Sequence, residues 1–226
     1  YNWFYEYDHL YRLTRARRGT GTTMRSGTEI YDKYYAYDTI GNITDFEGRP
    51  YYYDDADHVH AVTDDGVNTY AYDANGNMTS RDGTSITYDY ENMPTTIGSS
   101  SYVYDGNGNR VKKTESSETT IYVNKYYEKN LTTGVVTTYY YHGDTMVALR
   151  RGSTLEYIHQ DHLNSTSLVT NSSGSKVSDI KYYPYGDNRS GSVSTDKQFT
   201  GQRLDGTGLY YYNLTVWMAF IPIFRF

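Results

Sequence analysis

The dipeptide Tyr-Asp recurs along this chain at Tyr7-Asp8, Tyr37-Asp38, Tyr53-Asp54, Tyr72-Asp73, Tyr88-Asp89 and Tyr104-Asp105. From Tyr37 onward the steps are 16, 19, 16 and 16 residues. The first step, from Tyr7, is 30 residues and leaves room for one degenerate copy at Tyr31-Asp32. Three copies carry Gly-Asn four residues after the Tyr: Tyr37 with Gly41-Asn42, Tyr72 with Gly76-Asn77 and Tyr104 with Gly108-Asn109. The copies at Tyr53 and Tyr88 lie between them and lack the Gly-Asn, so two repeat types alternate. A short fixed period constrains a fold strongly, because one unit cannot bury its face alone and must pack on its neighbours.

A period of about sixteen residues suits a β-hairpin, two strands of five or six residues with two tight turns. Between Met78 and Tyr90, Asp82-Gly83 marks a two-residue turn. Alternation then puts Ile86, Tyr88 and Tyr90 on one strand face and Thr87 and Asp89 on the other. Similar turns are read at Glu47-Gly48, Asp65-Gly66, Arg151-Gly152 and Ser173-Gly174. In Tyr-Asp-x-x-Gly-Asn the Asp bonds backbone just ahead of it and the Gly supplies a positive φ, so Gly41, Gly76 and Gly108 are expected in equivalent turns. Thr is frequent between turns, Pro is rare, and no helical period emerges. The expected fold is all-β: antiparallel hairpin repeats in an extended, coiling sheet, with Tyr53, Tyr72, Tyr88 and Tyr104 laddered on one face.

Composition agrees. Of 226 residues 30 are Tyr, and without them the apolar fraction falls to roughly a quarter of the chain. The core must therefore be built from tyrosine bodies whose hydroxyls find partners. Zero Cys excludes disulfides and thiolate metal sites. A net charge of −6 argues against general nucleic-acid binding. The chain begins with Tyr, without a signal peptide, which points to a fragment or processed chain. The longest apolar run, Val216–Phe224, is too short to span a bilayer as a helix.

The chemistry-bearing residues read mostly as architecture. Asp54-Asp55 and Asp64-Asp65 are adjacent, so strand geometry points each pair to opposite faces, and neither makes a proton-sharing dyad. His58 and His60 are expected on one strand face, a spacing compatible with metal ligation but without a third ligand. His159, Asp161 and His162 place a carboxylate beside two imidazoles and are read as part of the fold. The run Arg15, Arg17, Arg18 reads as a solvated basic face. Neither a Gly-x-Ser-x-Gly elbow nor a phosphate-cradling loop occurs. The sequons at Asn42, Asn77, Asn130, Asn164, Asn171, Asn188 and Asn213 reflect composition. No catalytic, cofactor or metal residue is assigned. Exposed tyrosines would suit sugar stacking, but the pattern alone does not say which sheet face is outside.

These repeats resemble the YD repeats of the Rhs family. The chain after about residue 140 resembles the Rhs repeat-associated core: Tyr141-His142-Gly143-Asp144, Tyr157-Ile158-His159-Gln160-Asp161-His162-Leu163-Asn164-Ser165, Tyr183-Pro184-Tyr185-Gly186, Phe199-Thr200-Gly201-Gln202 and Gly208-Leu209-Tyr210-Tyr211-Tyr212-Asn213. The resemblance implies large bacterial surface or secreted proteins whose repeats form a hollow β-cocoon around a C-terminal toxin. Related shells occur in insecticidal toxin-complex subunits and teneurins. In many members the core plugs one end of the shell and acts as an aspartyl self-protease. Here the usual continuation Ala-Arg-Tyr-Tyr-Asp-Pro after Tyr212-Asn213 is replaced by Leu214–Phe226, and the last Asp is Asp205. The self-protease carboxylates and the toxin are therefore expected to be missing, as after a frameshift or truncation.

The expectation is YD repeats over 1–140, a repeat-associated core over 141–213 and an atypical hydrophobic tail over 214–226. The chain reads as a non-enzymatic, secreted or cell-surface shell segment of a toxin-encapsulating protein. Its partners would be upstream YD repeats, or a cognate shell or toxin. The alternative is a β-repeat module that binds carbohydrate or cell-surface glycan.

Overall fold

The structure is a computed structural model and describes residues 2–212 and 216–218. It is antiparallel β almost throughout, with one short 3-10 turn at Phe199–Gly201. The chain divides into two compact units, one up to Gly83 and one from Thr84 onward. In the first, β1 (Asn2–Tyr7), β2 (Leu13–Gly19), β3 (Glu29–Tyr37), β4 (Ile43–Phe46) and β5 (Arg49–Pro50) form a sheet in chain order, and β6 (Tyr70–Tyr72) pairs with β7 (Met78–Arg81). Its core is aromatic: Phe46 is fully buried, with the Tyr35 and Tyr51 rings at 5.3 and 5.7 Å.

The second unit is a long meander. It runs through β8 (Thr84–Tyr88), β9 (Pro94–Ile97), β10 (Ser100–Tyr104), β11 (Arg110–Glu115), β12 (Glu118–Asn124) and β13 (Tyr127–Asn130). It continues through β14 (Val136–His142), β15 (Thr145–Arg151), β16 (Thr154–Gln160), β17 (Thr166–Asn171), β18 (Lys176–Tyr182) and β19 (Asn188–Ser192). Each strand pairs only with its sequence neighbours in the sheet. A separate small sheet holds β20 (Arg203–Leu204), β21 (Leu209–Tyr211) and β22 (Val216–Met218). The rest of the tail over 214–226 lies outside the described residues.

One turn explains the period. In the copies at Asp38, Asp73 and Asp105, the Asp backbone N–H donates to the carbonyl four residues on, and its own carbonyl accepts from the Gly three residues on. The Asp Oδ1 accepts from the N–H groups two and four residues on, for example from Asn107 and Asn109 to Asp105, each at 2.9 Å. Gly41, Gly76 and Gly108 sit at φ of 100°, 79° and 77°, the left-handed region that glycine enters without a Cβ clash. The ladder register shifts just before each turn, the signature of a bulge that tightens the local twist. The same backbone bonds recur where no Tyr-Asp stands, starting at Asp161, Asn171, Tyr183, Gln198 and Asp205. Ser173-Gly174 is thus the second half of an Asn171-capped turn, whereas Glu47-Gly48 is a two-residue turn with both φ positive.

Strand alternation is as expected up to the turn. Tyr35, Tyr51, Tyr70, Ile86 and Tyr102 are buried, while the motif tyrosines two residues on are half-buried on the same face. Tyr90 departs from expectation: the strand ends at Tyr88, Asp89 opens a turn, and Tyr90 is fully exposed in it. The feature that repeats among the motif tyrosines is a hydroxyl bond backwards. Tyr37 donates to the Leu13 carbonyl at 2.8 Å, Tyr53 to Ile43 at 3.0 Å, Tyr72 to Val62 at 2.7 Å and Tyr104 to Pro94 at 3.0 Å. Leu13, Ile43 and Pro94 each stand five residues after the Asp of a preceding turn. Each such Tyr therefore clasps the exit of an earlier turn. The Tyr72 ring lies 6.4 Å from that of His58, and the Tyr104 ring 6.3 Å from that of Tyr211.

Candidate functional site

The chemistry of the second unit collects where the chain folds back. After β19, Ser194–Tyr212 runs as a strap across the inward face of the meander. Ser194 is held by Glu156 of β16 (2.9 Å) and by Arg151 of β15 (3.0 Å). The Lys197 carbonyl accepts from Thr166 of β17 at 2.7 Å, and its Nζ donates to the Tyr141 hydroxyl of β14 at 2.8 Å. Arg203 pairs with Glu128 of β13 and with Asp196, each at 2.5 Å, and its guanidinium lies 4.7 and 5.3 Å from the Tyr122 and Tyr139 ring centres. Asp205 takes both Arg110 nitrogens of β11, at 2.5 and 3.1 Å, and Lys113 Nζ at 2.9 Å. The Tyr211 hydroxyl accepts from the Arg110 N–H at 2.8 Å and donates to the Gly108 carbonyl at 3.3 Å.

Charge in this network is balanced. Arg110, Lys113, Lys197 and Arg203 face Glu115, Glu128, Asp196 and Asp205. Arg110 and Asp205 are 5% and 4% exposed, so their bidentate geometry is needed to offset lost hydration. Burial pulls at the Arg110 pKa, but Asp205 outweighs it and holds the group above its usual value. Lys197 goes the other way: burial and then the Arg203 charge bring it down to about 8, against the pull of Asp196 and Glu128. Burial would raise Asp196, yet the Arg203 charge keeps it below the usual carboxylate range. Burial pushes Tyr102 up to about 12 and raises Tyr122 and Tyr139 as well, so these phenols stay neutral. Each of these carboxylates has a cationic partner, an arrangement that suits fixation.

The sequence blocks that resemble a repeat-associated core meet beside this network. The Gln198–Gly201 turn docks on the Asp161–Ser165 turn, with Thr166 N–H to the Gln198 carbonyl and Thr200 N–H to Ser165 Oγ, both at 3.1 Å. The hydroxyls of Thr200 and Tyr212 are 2.8 Å apart. Phe199 lies against Gly186, where a Cβ would come within 2.6 Å of the ring. Gly186 is thus required both by its φ of 98° and by this contact.

The residues singled out from sequence mostly disperse. Asp161 caps its turn through Leu163 and Ser165 N–H, while His159 Nε2 is 3.0 Å from Thr170 Oγ1, so the two turn to different partners. His58 and His60 do not lie on a strand, contrary to expectation. Their segment is irregular, and its imidazoles turn to different partners: His58 to Asp55 at 3.0 Å, His60 to Asn42 at 2.7 Å. Asp64 bonds Gly66 N–H, whereas Asp65 is buried and accepts from Val67, Asn68 and the Tyr70 hydroxyl. The arginine run is not a solvated face. Arg15 grips Asp32 through two bonds of 2.8 and 2.5 Å, Arg17 is 4% exposed and donates to the Gly27 carbonyl, and Arg18 lies 5.3 Å from the Trp3 ring centre. Cross-strand partners and aromatic rings take up these guanidinium groups. An open cleft beside them is lined by Asp32, Asp45 and Glu47, which are engaged by Arg15, Gly48 N–H and Lys33 respectively. The Arg110–Asp205 network was not legible in sequence, although the Asp205-x-x-Gly208 spacing marks the same turn as the repeats.

No family model matches this chain, and no curated protein matches it in sequence. Solved structures do match in fold. A TcdB2–TccC3 crystal structure aligns with a TM-score of 0.53 at 16% identity, over 97% of this chain and 17% of that one. A Photorhabdus luminescens Tc holotoxin pore with a TccC3 variant aligns with a TM-score of 0.51 at 16% identity, over 96% and 16%. The chain therefore spans about a sixth of the length of these structures, and the likeness is one of fold.

Proposed function

We propose that this chain is a wall segment of a bacterial Rhs-type β-shell, one that encloses a toxin, and that it is not itself an enzyme. The observation that carries the reading is the strap. Ser194–Tyr212 lies across the inward face of an uninterrupted meander; its Arg203 and Asp205 pair with charged strand residues, and its Lys197 donates to the Tyr141 hydroxyl. That arrangement fixes the curvature of a wall and seals its inner surface. The Tyr-Asp repeats, the core-like blocks and the fold likeness to Tc toxin structures support the same reading. The finer reading is a secreted or surface shell piece without a self-protease role in this segment. The tail after Tyr212 carries no carboxylate side chain, and the acids of the strap serve as ion-pair partners.

The test is expression of the native locus, with whatever coding sequence flanks this chain, followed by electron microscopy and limited proteolysis. A hollow particle with a protease-resistant interior supports the wall reading. A product without further repeats that forms only an open, fully digestible sheet contradicts it.

A further inference from the structure

An asparagine followed by glycine is prone to lose its side-chain ammonia, because glycine leaves its backbone nitrogen open to attack on the preceding side chain. The chain holds two such dipeptides, Asn75-Gly76 and Asn107-Gly108, each in the third and fourth places of a repeat turn. Both asparagines are exposed. In each turn the Gly N–H, whose nitrogen would have to attack, donates to the carbonyl of the Asp that opens the turn, at 2.9 Å from Gly76 to Asp73 and 3.0 Å from Gly108 to Asp105. Gly108 is also held from far along the chain. Its carbonyl accepts from the hydroxyl of Tyr211, 103 residues on, at 3.3 Å. The same hydroxyl accepts the Arg110 N–H at 2.8 Å, and the Arg110 side chain pairs with Asp205. Gly108 is buried, whereas Gly76 is half-buried.

We propose that Asn107 is a deamidation site gated by the strap, and that its conversion makes an opening of the strap permanent. In the reaction the Gly108 nitrogen gives up its proton and bonds to Asn107 Cγ. The Cγ–Nδ2 bond breaks, and ammonia leaves with that proton. Water then opens the five-membered imide at either carbonyl, giving aspartate or isoaspartate. Water is the sole co-reactant, and the reacting atoms are neighbours in the chain, so release of the turn is enough to bring them together. The Gly108 nitrogen must first leave the Asp105 carbonyl, and the Tyr211 clasp opposes that movement. Closure therefore proceeds from states in which the strap has lifted off the turn. Isoaspartate routes the backbone through Cβ and lengthens it by one methylene between residues 107 and 108. The Gly108 carbonyl then no longer meets Tyr211, and either product adds a carboxylate two residues from Asp105. The copy at Asp38 keeps the turn without the reaction, since Ile40 precedes Gly41. This inference rests on the strap contacts and not on the wall reading, so shell imaging and deamidation can fail separately.

The test is to age the full chain in mildly alkaline buffer and map its peptides by mass spectrometry, with fragmentation that separates aspartate from isoaspartate. Asn75 is the internal standard, because its turn and its flanking residues are closely alike. In denaturant the two asparagines should convert at similar rates. In the folded chain Asn107 should convert about tenfold more slowly than Asn75. Tyr211→Phe, which removes the clasping hydroxyl and keeps both the ring and the Arg110–Asp205 pair, should speed Asn107 by about tenfold and leave Asn75 unchanged. Asp205→Ala should do the same. Tyr211→Phe carries the test if Asp205→Ala folds poorly. Chain already converted to isoaspartate at position 107 should exchange the amides of Ser194–Tyr212 faster than unconverted chain. Folded-state conversion of Asn107 as fast as that of Asn75 overturns the proposal. So does a Tyr211→Phe chain in which Asn107 converts at the parent's rate, or in which both asparagines speed up alike. Equal amide exchange in converted and unconverted chain overturns the permanence.

Discussion

The fourth residue of each turn carries the strain of the repeat. Where it is Gly the left-handed conformation costs little, but Tyr11 and Asn92 occupy it at φ of 61° and 60°. A residue with a Cβ gives up roughly 1–2 kcal/mol there. Tyr11→Gly should therefore stabilise the chain by about 1 kcal/mol, and Gly41→Ala should destabilise it by about as much, since no atom lies near the added methyl. Gly186→Ala should cost clearly more, because Phe199 must also move. Chemical denaturation of the three variants checks the order. Lys197 gives a pH signature. Its folded pKa, about 8, lies below the ordinary lysine value of 10.5. The unfolded chain thus binds more protons between these values, so this lysine makes stability rise with pH through that window and withholds the gain below about 8. Lys197→Met should flatten the rise in unfolding midpoint between pH 8 and 10.5. At this scale the glycine turns were legible because φ follows from residue type. The partners of Arg15, Arg17 and Arg18 were not, because they depend on which residues register brings opposite.

The strap is the element that locks the meander. It crosses the strands, so each of its contacts resists a different shear of the sheet. Asp205 is its anchor at the β11 end. Asp205→Ala leaves the buried Arg110 without its carboxylate, while Lys113 keeps Glu115, and should cost roughly 3–5 kcal/mol. Arg110→Met combined with Asp205→Leu should recover most of that loss, as an apolar pair of similar volume avoids the buried charge. A double-mutant cycle by thermal unfolding measures both. Strand order and turn positions up to Tyr104 followed from the Tyr-Asp period. The period fades afterwards, although the turn persists. Asn171, Tyr183 and Gln198 open it without the dipeptide, since the backbone bonds need only a positive φ three residues on. The strap itself left no local pattern, because its partners Arg110 and Asp205 lie 95 residues apart.

At the scale of the whole molecule, the inward face of the meander holds the paired ions of the strap among buried tyrosines, an arrangement that suits a locked surface. It also leads us to expect no self-cleavage, because the strap carboxylates, which would have to share a proton in an aspartyl protease, are instead held by cations. Intact-mass measurement of the purified chain from acid to neutral pH should show one unchanged species. A defined fragment that disappears on substitution of one Asp would count against this.

The central claim, that the strap and the meander form one locked structure, is tested most directly by hydrogen exchange with mass spectrometry on the full chain. The Leu204 amide is bonded to Asp196 within the strap, and the Tyr139 amide is bonded within the sheet to Tyr126. The account predicts that peptides holding these two amides are protected to the same free energy, and that Asp205→Ala lowers both together. Rapid exchange throughout Ser194–Tyr212 while β14 stays protected would contradict it.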